Sequence, residues 1–289
     1  MACVLIAGCG DLGSRVGQRL VAQGHEVWGL RRDPSKLDPA IRPIAADLTR
    51  VETLRGLPPT LSHVFYTASA GGADAASYHD AYVQGPGNLL AELARSCPRL
   101  ERIYFTSSTA VYGQQLGEWV DESSATAVQH ETGRLLLAGE AVFRAAHVPA
   151  TVVRLSGIYG PGRRSLVDLV LSATARLGPP RFTNRIHVDD AAGFLCHLLD
   201  LREPAELYLA SDDEPADRNA VLEWIAARAG LPADGLESGT PEPGPRARAV
   251  GSKRCSNRRM RATGYALTYP DFRSGYGPLV DAVRRGGPV

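Results

Sequence analysis

The sequence predicts an α/β protein, a doubly wound parallel sheet with a smaller C-terminal lobe. Three observations carry this. Short apolar runs alternate with helical patterns as far as residue 155. The first run leads straight into glycines 8, 10 and 13. After Gly160 the alternation breaks down. Strands separated by helices of this length imply parallel pairing with right-handed crossovers.

Each element follows from its local pattern. Residues 4–7 are continuously apolar, as expected of a strand covered on both faces. Gly8, Gly10 and Gly13 follow at GxGxxG spacing, with Asp11 and Leu12 between them. Leu12, Val16, Leu20 and Val21 then share one helix face, and Gly24 ends that helix. Residues 25–30 form the second strand. A short strand at 42–45 leads to Asp47 and Leu48, and 64–68 is the next apolar run. A long helical pattern covers 75–96, with Leu89, Leu90 and Leu93 among its apolar positions. A strand at 102–106, a helix at 127–146 and a strand at 151–155 complete the repeat.

Beyond the breaker Gly160-Pro161-Gly162, helices are expected at 165–175, 189–199 and 219–229, the last ended by Gly230. Extended pieces at 185–188 and 206–210 lie among them. Residues 232–245, rich in Gly and Pro, read as a loop, and 252–289 as a tail, basic at first, with two short helices. The division expected is 1–160 for nucleotide binding and 161–289 mainly for substrate, interleaved, with the cleft beyond the carboxyl ends of the strands.

A strand, then GxGxxG, then a helix is a dinucleotide loop. The first glycine allows the tight turn. The second lets backbone approach a pyrophosphate, and the third lets helix and strand pack closely. The helix start offers unbonded N–H groups and the positive end of its dipole to phosphate. An acidic residue after the second strand would hydrogen-bond an NAD ribose; Arg31 and Arg32 stand there instead. Guanidinium forks bind phosphate oxygens in pairs, so NADP(H) is expected rather than NAD(H). The plain alternative is a solvated basic loop. Arg15 adds charge near the phosphates or is an exposed helix residue.

Bulk properties exclude several classes. Hydrophobic residues make up 44% and the formal net charge is +1, so order is expected, and a nucleic-acid binder working by phosphate neutralisation is not. The five cysteines have no metal-ligand spacing and read as reduced thiols. Cys9 either fills a gap in the glycine loop or is open to oxidation. No apolar run is long enough to span a bilayer and the chain enters a strand at once, so a soluble, cytoplasmic protein is expected, with no membrane partner and no metal.

Further motifs resemble the extended short-chain dehydrogenase/reductase superfamily, in its nucleotide-sugar epimerase/dehydratase branch. The stretch from Tyr104 through Ser107, Ser108, Val111, Tyr112 and Gly113 looks like that family's segment at the end of the fifth strand. Arg154-Leu155-Ser156-Gly157-Ile158-Tyr159-Gly160-Pro161-Gly162-Arg163 and Arg185-Ile186-His187-Val188-Asp189-Asp190 look like its two later segments. Lys253-Arg254-Cys255-Ser256-Asn257, Gly264-Tyr265 and Tyr269-Pro270-Asp271-Phe272 resemble an atypical bacterial subgroup of epimerase-like proteins. The resemblance implies a Rossmann sheet, a catalytic role for Ser108, and contacts of Asp47, Leu48 and Ala68 with the cofactor.

The family's catalytic Tyr, with Lys four residues on, has no counterpart in the 127–146 helix, which lacks both residue types. His130 and Arg134 hold that spacing. Three readings stand. His130, whose ordinary pKa lies near neutrality, is the acid/base, and Arg134 holds ribose or a phosphate. Alternatively the chemistry has moved to Ser108, Tyr112 or Tyr159. Or His130 and Arg134 are first-turn polar residues, and Ser108 a turn residue. Arg163 and Arg164 bind an anionic substrate or form a basic loop, and His187 reads as structural. Leu135, Leu136 and Leu137 exceed what one helix face buries, which suggests a homodimer or cover by the smaller lobe. The function expected is NADP-dependent redox or epimerase-like chemistry on a small polar, nucleotide-sugar-like substrate. The alternative is an NADP(H)-binding sensor that has lost turnover with the Tyr/Lys pair.

Overall fold

The computed structural model describes residues 1–128, 130–232, 236–239 and 251–285. Strand β1 (Cys3–Ala7) leads into α1 (Asp11–Ala22) and β2 (Glu26–Arg31). Then come β3 (Arg42–Ala45), β4 (His63–Tyr66), α2 (Ala75–His79), α3 (Gly85–Ser96) and β5 (Arg102–Ser108). They are followed by β6 (Glu118–Val120), α4 (Glu131–Arg144), β7 (Ala150–Leu155), β8 (Gly157–Tyr159) and α5 (Ser165–Leu171). Next are β9 (Arg176–Leu177), β10 (Phe182–Thr183), β11 (Arg185–His187), α6 (Val188–Asp200) and β12 (Leu207–Ala210). The chain continues with β13 (Ala216–Asp217), α7 (Arg218–Ala229), β14 (Glu237–Ser238), β15 (Lys253–Cys255), α8 (Arg258–Ala262) and α9 (Phe272–Arg284).

Seven strands form one sheet in the order β12-β7-β5-β4-β1-β2-β3. Parallel pairing joins β1 to β2 and β4, β4 to β5, and β2 to β3. Strand order reverses at β1 and β4. Right-handed crossovers therefore put α1 on one face and α3 and α4 on the other, the doubly wound arrangement, and open a crevice at the carboxyl ends of β1 and β4.

Two compact units make up the chain. The first comprises Met1–Val111, Val128–Arg154 and Ala192–Tyr208; the second comprises Tyr112–Ala127, Leu155–Ala191 and Leu209–Val289. In the first, Phe105 and Phe143 stack at 4.6 Å beneath α4, and Tyr66 meets Phe143 at 5.1 Å. In the second, α5, α7 and α9 bury Val167, Val170, Val221, Ile225, Phe272 and Val280 together. The pairs β6–β15 and β8–β11 are parallel.

A buried ion pair fixes α4. Glu140 is fully buried and accepts a two-pronged contact from Arg154 on β7, at 2.9 Å from Nε and 2.7 Å from Nη2. Ser107 Oγ on β5 donates at 2.7 Å and Arg144 Nη2 at 3.0 Å. One carboxylate thus ties a helix to two strands, with its charge met by hydrogen bonds.

Some boundaries differ from those the sequence implies. The 75–96 pattern is not one α-helix, because a π-helical turn (Asp80–Gln84) separates α2 from α3. The wide turn precedes Pro86, which has no N–H to continue an α ladder. Helix α4 starts at Glu131 rather than 127, since His130 caps it; Gln129 lies outside the described residues. Helix α5 stops at Leu171 rather than 175, where Ala173 turns to φ +55°. Of the 232–245 loop, residues 233–235 and 240–245 lie outside the described residues, as do 286–289 of the tail.

Replacing Glu140 with Ala strands the Arg154 charge, so a loss of about 3–5 kcal/mol is expected in urea unfolding. The surface variant Glu101→Ala should move the midpoint within about 0.5 kcal/mol.

Candidate functional site

The glycine loop is built by close approach. Gly8 has φ +83°, and a Cβ there would lie 2.4 Å from the Ala68 backbone. A Cβ on Gly13 would sit 2.6 Å from Thr67 Oγ1 and 2.8 Å from Ile6. Thr67 Oγ1 also donates to the Gly8 carbonyl at 3.0 Å. These two glycines are needed by the protein itself. Gly10 is not, for a Cβ on it would meet nothing nearer than 3.9 Å. It caps α1 without a side-chain hydrogen bond. Open space before an uncapped helix start fits an incoming diphosphate.

The neighbouring charges are organised around this loop. Asp11 pairs with Arg15 at 3.1 Å, so the carboxylate beside the helix start is partly neutralised. Arg31, at the end of β2, donates from Nη1 to the Cys9 carbonyl at 3.2 Å, which sets its guanidinium against the loop. Arg32 is exposed. Asp47 accepts from the Thr49 amide at 3.0 Å and its hydroxyl at 2.8 Å. The Thr49 amide is the first cause holding its carboxyl below the usual range, and Arg32 contributes. The Leu48 carbonyl accepts from Asn88 Nδ2 at 2.9 Å. Leu12 is buried on α1. Cys9 is fully buried and burial pushes its thiol pKa up, so it fills a gap and is a poor nucleophile.

The catalytic candidates are tied into local contacts. Ser108, at the end of β5, accepts the Ala110 amide on Oγ at 3.1 Å. His130 caps α4: its Nδ1 accepts the Gly133 amide at 3.0 Å. An accepting Nδ1 leaves the neutral ring's proton on Nε2. Arg134 is exposed on α4. Tyr112, in the second unit, is buried and donates to the Asp121 carbonyl at 2.7 Å. In the same unit Tyr159 packs on Tyr276 at 4.4 Å, with burial raising its pKa. His187 is buried against Tyr269 at 3.7 Å. Arg164 pairs with Asp168 at 2.9 Å.

Three features escape sequence reading. Thr67 sets the helix–strand spacing, and in the sequence it reads only as a polar member of the 64–68 run. Lys253 is buried and donates to the Tyr112 carbonyl at 3.1 Å. Burial lowers its pKa. Asp212 is 1% exposed and neither carboxylate oxygen makes a hydrogen bond. Burial drives its pKa well up, although Arg185 pulls the other way. Arg185 Nη1 and Ser156 Oγ are likewise buried without partners. Among the described residues there is no His/Cys/Asp/Glu group able to hold a metal, and no helix long and apolar enough to cross a membrane.

A doubly wound sheet with a dinucleotide loop at its switch point defines a Rossmann-type protein of the extended short-chain dehydrogenase/reductase superfamily. The profile of the NAD dependent epimerase/dehydratase family matches residues 4–207, and the chain belongs to that family. A nicotinamide dinucleotide is therefore its class of cofactor. Protein YeeZ of Escherichia coli is 30% identical over 250 residues, 80% of this chain and 85% of YeeZ. A Methylobacillus flagellatus structure described as a candidate NAD-dependent epimerase/dehydratase is 38% identical, with TM-score 0.81, over 98% of this chain and 99% of that one. The Thermus thermophilus UDP-glucose 4-epimerase, solved with NAD, shares the fold at TM-score 0.80 and 21% identity, covering 99% of both chains.

Two outcomes follow from this geometry. His130→Ala should cost about 0.5–2 kcal/mol through the lost cap, with His130→Asn recovering most of it in urea unfolding. Asp212→Asn should raise Tm at neutral pH. A raised folded-state pKa means stability falls as pH climbs above the unfolded value of 3.8, so the gain should shrink as pH is lowered toward that value. An unchanged difference across that range would show that Asp212 does not titrate as described.

Proposed function

We propose that the chain is an NADP(H)-dependent oxidoreductase or epimerase-like enzyme of the short-chain dehydrogenase/reductase type, acting on a small polar, nucleotide-sugar-like substrate. The observation that carries the reading is Arg31 at the end of β2, with its guanidinium held against the glycine loop by the Cys9 carbonyl. At that place a carboxylate would repel a 2′-phosphate, whereas Arg31 and Arg32 attract one. Gly8, Gly10, Leu12 and Gly13 would hold the diphosphate, Asp11 would border it with its charge met by Arg15, and Asp47, Leu48 and Ala68 would line the remainder. The substrate class draws on the family and on the UDP-glucose epimerase that shares the fold.

When bound, the nicotinamide supplies or accepts a hydride at its C4. In this reading Ser108 holds the substrate oxygen by a hydrogen bond and Arg134 steadies ribose or a phosphate. His130 carries the proton, with Tyr112 as the other hydroxyl candidate. His130 can take a proton only at the nitrogen that now accepts the Gly133 amide, so each transfer through it gives up the α4 cap. That cost favours a second reading, an NADP(H)-binding sensor without turnover. Leu135 and Leu137, half-buried on α4, would join two copies in a homodimer.

Calorimetric titration tests the cofactor assignment. Replacing Arg31 and Arg32 together by Ser should weaken NADPH at least tenfold, about 1.4 kcal/mol, and NADH much less. Equal weakening of both would remove the 2′-phosphate from their role. A screen of aldehydes, ketones and UDP-glucose with NADPH then separates enzyme from sensor. Turnover that survives His130→Ala would exclude the proton relay, and tight NADPH binding with no turnover would establish the sensor.

A further inference from the structure

Three buried polar side chains come together in the second unit with bonding capacity left over. Asp212 is 1% exposed, and Arg185 and Ser156 are each 4% exposed. Neither Asp212 oxygen has a hydrogen-bond partner, nor has Arg185 Nη1 or Ser156 Oγ. Backbone pairing sets the three residues side by side. The Asp212 amide donates to the Arg185 carbonyl at 2.7 Å, and the Ser156 amide donates to the Ala210 carbonyl at 2.9 Å. Gly157, the residue after Ser156, lies opposite Arg185 where β8 pairs with β11. Segments distant in sequence thus bring a carboxyl group, one guanidinium arm and a hydroxyl to one place.

These groups are held apart by their other contacts. Arg185 Nη2 donates to Thr183 Oγ1 at 2.6 Å, and the guanidinium lies 5.5 Å from the Phe272 ring centroid. Swinging Nη1 onto the carboxyl group would disturb both. Asp212 is flanked by Ser211, whose hydroxyl donates to the Arg185 carbonyl at 3.2 Å, and by Asp213, whose amide donates to the Pro270 carbonyl at 2.9 Å. Its backbone is therefore fixed as well. Burial drives the Asp212 pKa up, and Arg185 stands near enough to pull it back, yet no hydrogen bond joins the two. The neighbouring carboxylates are met elsewhere. Glu214 accepts Arg273 Nη1 at 2.6 Å, and Asp213 accepts Asn257 Nδ2 at 2.7 Å. Asp190 accepts the Thr268 and Tyr269 amides, each at 2.8 Å. Tyr159 and Tyr276, whose pKa values are raised by burial and also by the Asp212 charge, pack at 4.4 Å. A fixed guanidinium disfavours a cation here, and a carboxyl group disfavours an anion. An apolar occupant would leave every one of the free polar atoms unmatched. Water both donates and accepts, and a buried water typically has about three such partners.

We propose that Asp212, Arg185 and Ser156 hold ordered water, which bridges the carboxyl group to guanidinium Nη1 and to the hydroxyl and takes the place of a direct ion pair. The bridge ties the segment after β12 to β11 and to the residue that follows β7. It serves Asp212 in either protonation state, since water donates to a carboxylate and accepts from a carboxylic acid. Every residue in it belongs to the second unit, so the bridge does not depend on the nucleotide reading.

Two measurements on the full chain test it: a high-resolution crystal structure from crystals soaked in rubidium bromide, and magnetic relaxation dispersion of the water deuterons in solution. The crystal should show a water about 2.7–3.2 Å from Arg185 Nη1 and from an Asp212 oxygen, with no anomalous signal at that point. In solution, Asp212→Leu fills the place with methyl groups and should lose at least one long-lived internal water relative to the parent. Asp212→Asn, which keeps a polar edge, should retain the parental count. Ser156→Ala removes one partner and should speed exchange of the water severalfold. Four outcomes overturn the proposal. One is a rubidium or bromide peak at the site, which would make the occupant an ion. Another is direct contact of Arg185 Nη1 with Asp212 and no water between them. The third is a parental water count in folded Asp212→Leu. Where that variant does not fold, the fourth is parental exchange in Ser156→Ala.

Discussion

The spacing between α1 and the two central strands is the constraint on which the remainder depends. Gly13 has no room for a methyl group against Thr67 and Ile6, and Gly8 has none against Ala68. Those contacts bring the start of α1 directly over the carboxyl ends of β1 and β4, where the strand order reverses. Any side chain at either glycine would push the helix outward and turn its first amides away from the crevice. The fold and the dinucleotide loop are thus one packing solution, with Gly10 the member whose lack of a side chain the protein's own packing does not explain.

Much of the first unit was legible in the sequence because its central strands β1, β4 and β5 are buried and read as largely apolar runs. The ends of β1, β2 and β3 fall within a residue of where composition puts them. Helix starts and stops were harder. His130 as a cap resembles any polar residue in a first turn, and the left-handed turn at Ala173 carries no glycine to announce it. The second unit was less legible still. Its two-residue strands are too short for any periodicity, and β15 pairs with β6 across more than a hundred residues of chain. The glycine loop and Arg31 could be found from spacing alone. The contacts of Thr67, Glu140 and Asp212 could not, since each depends on segments distant in sequence.

Two buried carboxylates, Glu140 and Asp212, meet the cost of burial differently. Glu140 is satisfied by Arg154, Ser107 and Arg144, and its cost of burial is met locally. Asp212, Arg185 Nη1 and Ser156 Oγ are enclosed without hydrogen bonds to the rest of the chain. Buried polar groups left unmatched are uncommon, because desolvation is repaid by nothing. Asp212 lowers that penalty by favouring its neutral form, so its burial grows costlier as pH rises.

Lysine is scarce in this chain: Lys36 and Lys253 are its two examples among 32 basic residues. The enclosed position beside Tyr112 keeps one of them. A guanidinium could not take its place without bringing five N–H groups into a space that offers one carbonyl, and it could not shed its proton to escape the mismatch. An amine can do so. The choice of amino acid at 253 therefore preserves an exit from ionisation, a freedom that arginine, the residue this chain uses nearly everywhere else, would have closed.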